Sequence, residues 1–300
     1  MFSLALPGFA HFIILIVGSA LLLGWIKVLK ARMQSRRGPG MLQPVRDLHK
    51  WFRKDSIISN DASWLLRAAP YLCCACVFTA GLMVPIFTLK APLSFSGDVI
   101  VFIYLLAAAR WITALAAMDA GGNFTGMGVS RELAISVVVE PALLFSLLSS
   151  ILVAGSSRLE IIISNGSVYD LTYVLSAFAF LLVFLAETGR IPVDNPDTHL
   201  ELTMIHEGMM LEYSGRYLAL MNIAVWMKQF VLTVLAAHLF FPTFGWIPMW
   251  AEIFIKVALI GAILAAIETS NAKMRLYRIP RYIGTSILLS ITALVVYFVH

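Results

Sequence analysis

The chain is poor in charge. Asp, Glu, Lys and Arg make up 13% of its 300 residues, about half of the roughly 25% usual in soluble domains. With 60% hydrophobic residues and a mean hydropathy of +0.87, the composition excludes a soluble globular protein and puts the chain in a bilayer. Cysteine is scarce as well. Cys73, Cys74 and Cys76 all fall in one apolar stretch, with Cys73 and Cys76 on one helical face. Three thiols fall short of the four that a standard iron–sulfur cluster takes, so they read as small residues packing against a neighbouring helix. No redox cofactor and no metal is expected in the chain itself. The N-terminus lacks a basic stretch, the first lysine being Lys27, so residues 9–29 read as a retained span rather than a removed signal peptide. Low-complexity segments, internal repeats and paired broken helices are missing too, which argues against a stand-alone transporter built from inverted repeats.

What is present is a series of apolar runs, at about 9–29, 69–89, 99–118, 133–154, 171–186, 217–241, 249–267 and 282–299. Each is close to the roughly 20 residues that cross a bilayer as a helix. They predict an all-α integral membrane protein of about eight transmembrane helices, forming one membrane domain over 1–300. The first, third, fifth and seventh loops hold nine, one, two and four Lys and Arg, against only Lys90 and Arg158 in the even loops. By the positive-inside rule the odd loops are cytoplasmic, the larger ones at about 30–68 and 187–216, and both termini lie outside. The same asymmetry accounts for the net charge of +5 and pI near 9.2 without nucleic-acid binding.

The first cytoplasmic loop has two parts. Gly38-Pro39-Gly40 breaks any helix continuing from the first span. Beyond it Leu42, Val45, His49 and Phe52 recur at helical spacing, with Arg46, Lys50, Arg53 and Lys54 on another face, which predicts a basic amphipathic helix along the membrane surface. Contact with anionic lipid is one explanation of its charge. Docking of a soluble partner by Arg36, Arg37, Arg46 and Lys50 is the other.

The most unusual segment is Glu187 to Tyr217. It holds six of the 17 acidic residues, Glu187, Asp194, Asp197, Glu201, Glu207 and Glu212, together with His199 and His206. Leu200, Leu202, Met204, Ile205, Met209, Met210 and Leu211 are interleaved, so the stretch reads as an amphipathic or partly buried helix, with Pro192 and Pro196 bending its entry and Asn195 or Asp197 capping it.

Ionisable groups at membrane depth are costly and are functional candidates by default. Glu140 is flanked by apolar residues and by Pro141, which frees backbone carbonyls for water or a proton. Glu132 lies eight residues earlier, on about the same helical face. Glu187 ends span five and Lys228 lies inside span six; Lys256 and Glu268, in span seven, read as residues that snorkel toward the surface. Desolvation raises a carboxyl pKa and a nearby cation lowers it. One charge crossing 100 mV involves about 2.3 kcal/mol, under two pKa units of tuning, so modest changes of environment could gate a chain of carboxylates.

Three motifs, RRGPGMLQP after span one, SRELAISVVVE in span four, and AETGRIPVDNP followed by LEYSG, resemble the membrane subunit 1 family of respiratory complex I. That family includes the corresponding subunits of group 4 membrane-bound nickel–iron hydrogenases, such as those of formate hydrogenlyase type. The resemblance covers essentially the whole chain. It implies a subunit of the plasma (inner) membrane of a prokaryote that anchors a soluble electron-transfer arm and begins a carboxylate path toward antiporter-like membrane subunits. Implied partners are hydrophilic hydrogenase-like large and small subunits and an iron–sulfur subunit, with the iron–sulfur clusters and any NiFe centre held there. Arg37, Gly38 and Pro39 match the family's loop motif; Arg131 and Glu140 match its arginine and intramembrane glutamate, Arg131 and Arg190 serving in charge pairing. Glu187, Arg190, Pro192 and Asp194 match its E-x-x-R-x-P-x-D signature. The implied proton path runs over Glu132, Glu140, Glu187, Asp194, Asp197, His199, Glu201, Glu207, Glu212 and Lys228. Quinone-reducing members usually continue with E-A-E, where this chain has Asp197-Thr198-His199, and its stretch to Glu212-Tyr213 is about three residues longer. These departures favour the hydrogenase branch over a quinone-binding subunit of an NADH:quinone oxidoreductase.

Overall fold

The computed structural model describes residues 2–59, 62–86, 91–94, 97–165, 171–194, 204–243 and 248–299. Its helices are α1 (Phe2–Met33), α2 (Gln43–Phe52), α3 (Trp64–Met83), α4 (Val99–Asp119), α5 (Asn123–Ala154), α6 (Leu159–Asn165), α7 (Leu171–Glu187), α8 (Gly215–Phe240), α9 (Met249–Ser270) and α10 (Ile279–Val299). Seven are long and apolar enough to cross a membrane. The eighth, α7, is apolar throughout and has 17 residues, the lower limit for a span at 1.5 Å per residue. The protein is an integral, multi-pass membrane protein, with seven spans and this shorter apolar helix among the described residues where the hydropathy predicts about eight.

The span ends differ from the hydropathy boundaries, because caps and polar helical turns extend beyond the apolar runs. α3 begins at Trp64, earlier than the predicted 69, because the Ser63 hydroxyl accepts from Leu65 N and is itself held by Asp119, at the end of α4. α5 begins ten residues before the predicted 133, since the polar turns of Asn123–Arg131 continue the helix beyond the apolar run. At its far end Gly155, at φ 66°, closes the helix in a left-handed turn. Asp98 caps α4 through Ile100 N and also accepts from Ser157, joining the two loops on that side.

Two groups of helices share the bundle. α1, α8 and α9 pack together, as do α5, α7 and α10, and the pairs α3–α8, α3–α4 and α4–α5 connect the groups. Cys73 donates to Ala109 O, and Cys74 to Leu220 O, so the thiols sit in the α3–α4 and α3–α8 contacts, the packing role predicted for them.

α1 ends at Met33, and the chain turns at Ser35, φ 55°, before it reaches the Gly-Pro-Gly break. It then doubles back along α1. A Cβ on Gly38 would sit 2.5 Å from that of Ala31, and one on Gly24 would sit 2.0 Å from Met41 O; both glycines permit this approach. α2 follows as predicted, but its buried face is different. Pro44 and Leu48 are buried, and Trp51 packs against Trp226 of α8 with ring centroids 6.2 Å apart. The stripe of Leu42, Val45 and Phe52 is exposed. α2 therefore carries two apolar faces, one held by the bundle and one turned outward, with Arg46 and Lys50 exposed beside it.

The buried face separates Leu48 from Val45, the residue that the helical spacing singles out. Leu48→Ala should cost about 2–3 kcal/mol, as for a buried leucine, and should open the segment 36–59 to limited proteolysis. Val45→Ala should remain within about 0.5 kcal/mol of the parent. Thermal unfolding of the purified protein in detergent, with the two variants side by side, measures the difference.

Candidate functional site

α4, α5, α7 and α8 each bring charge to one point inside the bundle. The Arg110 guanidinium, with 4% of its side chain exposed, donates to Glu187 of α7 and, at 3.0 Å, to Glu140 of α5; its Nε lies 3.4 Å from Glu132. Lys228 Nζ of α8 lies 2.7 Å from the second Glu187 oxygen. Three carboxylates thus share two cations, so the cluster carries one surplus negative charge when every group is ionised. A guanidinium has a fixed fork of donors, which lets one side chain hold several carboxylates, where lysine is a point charge. Glu187 is sealed, with 1% of its side chain exposed, whereas Glu140 has 30% exposed at the α5 surface.

The turn after α7 builds the second half of the site. Gly189, φ 59°, ends the helix with Gly189 N–H donating to Ala186 O and Arg190 N–H to Leu185 O. This paired arrangement is a Schellman cap, and it needs the left-handed residue that glycine supplies. It turns Arg190 back into the protein, where it donates to Glu268 at 2.8 Å and to Gln229 at 2.6 Å. Lys30 of α1 lies 3.2 Å from the other Glu268 oxygen. The next turn, through Pro192, delivers Asp194 to Lys273 at 2.6 Å and to the backbone N–H groups of Ile205 and His206. E-x-x-R-x-P-x-D is therefore one folded unit in which Glu187 faces one ion cluster while Arg190 and Asp194 anchor the connections to α9 and to residues 204–210.

Met204–Met210 lie against α5. Arg131 donates to Met204 O at 3.2 Å, and a Cβ on Gly128 would come within 3.1 Å of the Gly208 backbone. A cavity of about 520 Å³ opens between α1, α2, α8 and this segment; its wall includes Lys30, Trp51, Arg190, His206, Trp226 and Gln229. Burial lowers the pKa of His206 below the ordinary histidine value; Glu132 and Asp194 oppose this, Lys228 and Arg110 add to it. The neutral ring is thus the native form. A lowered folded-state value means that stability is complete above the unfolded value near 6.5 and falls as the pH drops through it.

Several sequence expectations change here. Glu140, expected among apolar neighbours, is ion-paired with Arg110, a residue assigned no role by the motifs. The available signal was a lone arginine in the apolar run 99–118. Arg131, nine residues before Glu140, pairs with no carboxylate among the described residues and instead holds a backbone carbonyl. Lys256 and Glu268 do not snorkel. Both are buried, Lys256 at 2.6 Å from Glu252 and Glu268 between Arg190 and Lys30, because partners on the same or adjacent helices satisfy them. The helix expected over 200–211 reduces, among the described residues, to one 3-10 turn at Glu207–Met210. Glu207 lines the cavity, but Glu212 is exposed beside Gly122, away from the cluster. Asp197, His199 and Glu201, together with the alternative cap Asn195, lie outside the described residues.

Comparison with known proteins gives a consistent assignment. Residues 8–300 match the family model described as NADH dehydrogenase. Hydrogenase-4 component C of Escherichia coli (strain K12) is 37% identical over 236 residues, 78% of this chain and 74% of that one. Formate hydrogenlyase subunit 4 of the same organism is 32% identical over 283 residues, covering 90% and 91%. An NADH-quinone oxidoreductase subunit of Geobacter metallireducens is 28% identical over 262 residues, covering 81% and 78%. Among solved structures, a chain of the membrane-bound sulfane sulfur reductase, an archaeal respiratory membrane complex, superposes with a TM-score of 0.86 at 20% identity, over 97% of this chain and 98% of that one. At that identity the likeness bears on the fold.

Removing Arg110 leaves three carboxylates, one of them fully buried, to one lysine, so Arg110→Gln should destabilise the protein by about 3–5 kcal/mol. Adding Glu187→Gln returns the local charge to its original value and should recover part of the loss. The check is a double-mutant cycle read as thermal stability in detergent; strict additivity of the two changes would show that the pair is not coupled.

Proposed function

The chain belongs to the NADH dehydrogenase family, the membrane subunit 1 family of complex I, and on that premise we propose that it is the membrane-anchor and proton-coupling subunit of an energy-converting hydrogenase or hydrogenase-related complex. It joins a soluble iron–sulfur arm to antiporter-like ion-pumping subunits. In this reading the arm, formed by hydrophilic large, small and iron–sulfur subunits, docks on the basic cytoplasmic face. Arg36, Arg37, Arg46 and Lys50 are all exposed there, and both termini lie on the opposite side of the plasma membrane.

The observation that carries the proposal is the four-helix cluster around Arg110. Glu187 is sealed inside the bundle and Glu140 is partly exposed, so Glu140 is the point at which the cluster can meet a neighbouring membrane subunit. A partly exposed carboxylate is costly against lipid and inexpensive against a polar partner. Movement of a proton needs the cations to change partners, and Arg110, shared by three acids, can strengthen its bond to one as another is protonated. Gln at position 140 keeps the shape and hydrogen bonding of the neutral acid and cannot release a proton. In Glu140→Gln the complex should assemble and its soluble arm should still turn over artificial dyes. Proton pumping into vesicles driven by the physiological donor should fall about tenfold or more, at least about 1.4 kcal/mol on the limiting step. Unchanged pumping would leave Glu140 as a packing residue.

The cavity favours a second reading, as a quinone-binding subunit. Its volume of about 520 Å³ and the tryptophans in its wall suit an amphiphilic ring compound. The substitution of the acidic triplet by Asp197-Thr198-His199 weighs against it. Turnover of the purified complex after quinone is stripped, with reduced ferredoxin or formate as donor, discriminates the two. Full turnover is expected; strict dependence on added quinone would make the second reading the correct one.

A further inference from the structure

Three buried polar atoms in the cavity wall have no hydrogen-bond partner among the described residues: His206 Nε2, Gln229 Nε2 and Tyr213 Oη. Buried polar groups of a native protein rarely stay unpaired, and a polar cavity of this size holds water. Gln229 is fixed by its other amide atom, which accepts from Arg190. A tyrosine hydroxyl and a carboxamide do not change protonation state in the working range, so among these three only the imidazole can both take up and release a proton.

The position of His206 is built rather than incidental. Its backbone N–H donates to Asp194, the carbonyl two residues before it accepts from Arg131, and the Gly128–Gly208 contact presses the segment against α5. The ring is thereby placed in the electrostatic field of Arg110 from α4, Glu132 from α5, Lys228 from α8 and Asp194 from its own connection. The cavity wall adds Lys27, Lys30, Asp47, Arg190, Glu207 and Glu268. The ring lines the cavity, and its segment is fastened to α5 by Arg131, the residue next to Glu132 of the Arg110 cluster.

We propose that His206 is the residue through which protons pass from the cavity to the Arg110 carboxylate cluster. This rests on the coupling role proposed above. Neutral His206 takes one proton at Nε2 from a cavity water that has itself been protonated from bulk water on the basic side, leaving that water neutral, and the imidazolium gives one proton to Glu132 as that carboxylate leaves Arg110. No electrons move in this step, and the ring returns to its neutral form. An added positive charge on the ring is disfavoured by burial and by Lys228 and Arg110 and favoured by Glu132 and Asp194; transfer to Glu132 removes that charge from the buried ring.

The test uses the intact complex in inverted vesicles, with dye reduction by the soluble arm as the measure of assembly. His206→Gln, close in size, and His206→Ala should both keep dye turnover and lose about tenfold or more of donor-driven proton uptake. In His206→Ala the space beside the cavity admits small rings, so imidazole should restore uptake and its non-basic isostere pyrazole should not. Imidazoles of different basicity should shift the pH profile of the restored rate in step. Full uptake in His206→Gln, or equal restoration by pyrazole, would overturn the proposal and make the ring a packing element. If Glu140→Gln also pumps normally, the coupling role itself has failed; if Glu140→Gln is defective while His206→Gln is not, only the assignment to His206 has.

Discussion

A guanidinium buried among three carboxylates is the constraint on which the rest of this protein depends. Arg110 cannot be left in an apolar bundle without partners, and its three partners come from two other helices. Glu132 and Glu140 fix the rotation of α5 against α4, and Glu187 fixes the inner end of α7 against both. Lys228 then ties α8 to the same point. Apolar packing alone would leave these helices freer, because lipid and leucine are alike to a helix surface and only shape distinguishes them. The charges supply a register that the lipophilic residues cannot.

The turn after α7 converts that register into a connection between two ion clusters. Gly189 allows the chain to reverse within two residues, and the reversal puts Glu187 and Arg190 into different ion clusters only three residues apart in sequence. A proton arriving at one cluster changes the charge facing the other through a short, rigid piece of backbone. Asp194 extends the same piece to Lys273 and to the segment that carries His206. A displacement of the 204–210 segment would therefore act on the Asp194 anchor. Such coupling needs two arrangements of similar energy, and a cation with more acceptors than it can satisfy equally is suited to supply them.

The basic surface follows a different logic. α2 is held to the bundle by Leu48 and Trp51, while a second apolar stripe, Leu42, Val45 and Phe52, faces outward beside Arg46 and Lys50. One short helix thus closes the cavity from one side and presents a mixed apolar and cationic surface on the other. The doubled-back chain at Gly38 and Gly24 sets how closely it lies against α1.

Much of this was legible in the sequence. Each of the eight apolar runs became a helix, seven of them long enough to span, because the bilayer demands about 20 lipophilic residues in a helix whatever surrounds it. The rarity of ionisable groups at membrane depth marked Glu132, Glu140, Glu187 and Lys228, and the motifs marked Arg190 and Asp194. Which charge meets which was decided only by the tertiary structure. Arg131 lies in the motif and Arg110 does not, yet Arg110 holds the carboxylates, since pairing depends on which helix faces which and this is not a function of spacing along one chain. The face of α2 that is buried was likewise open: two apolar stripes are compatible with the same pattern, and contact with Trp226 of α8 selects one. His206 had no role assigned to it in the acidic loop until folding set it in the wall of a cavity. Hydrophobicity acts residue by residue and can be read along the chain, whereas the partner of a buried charge is a property of the packed bundle.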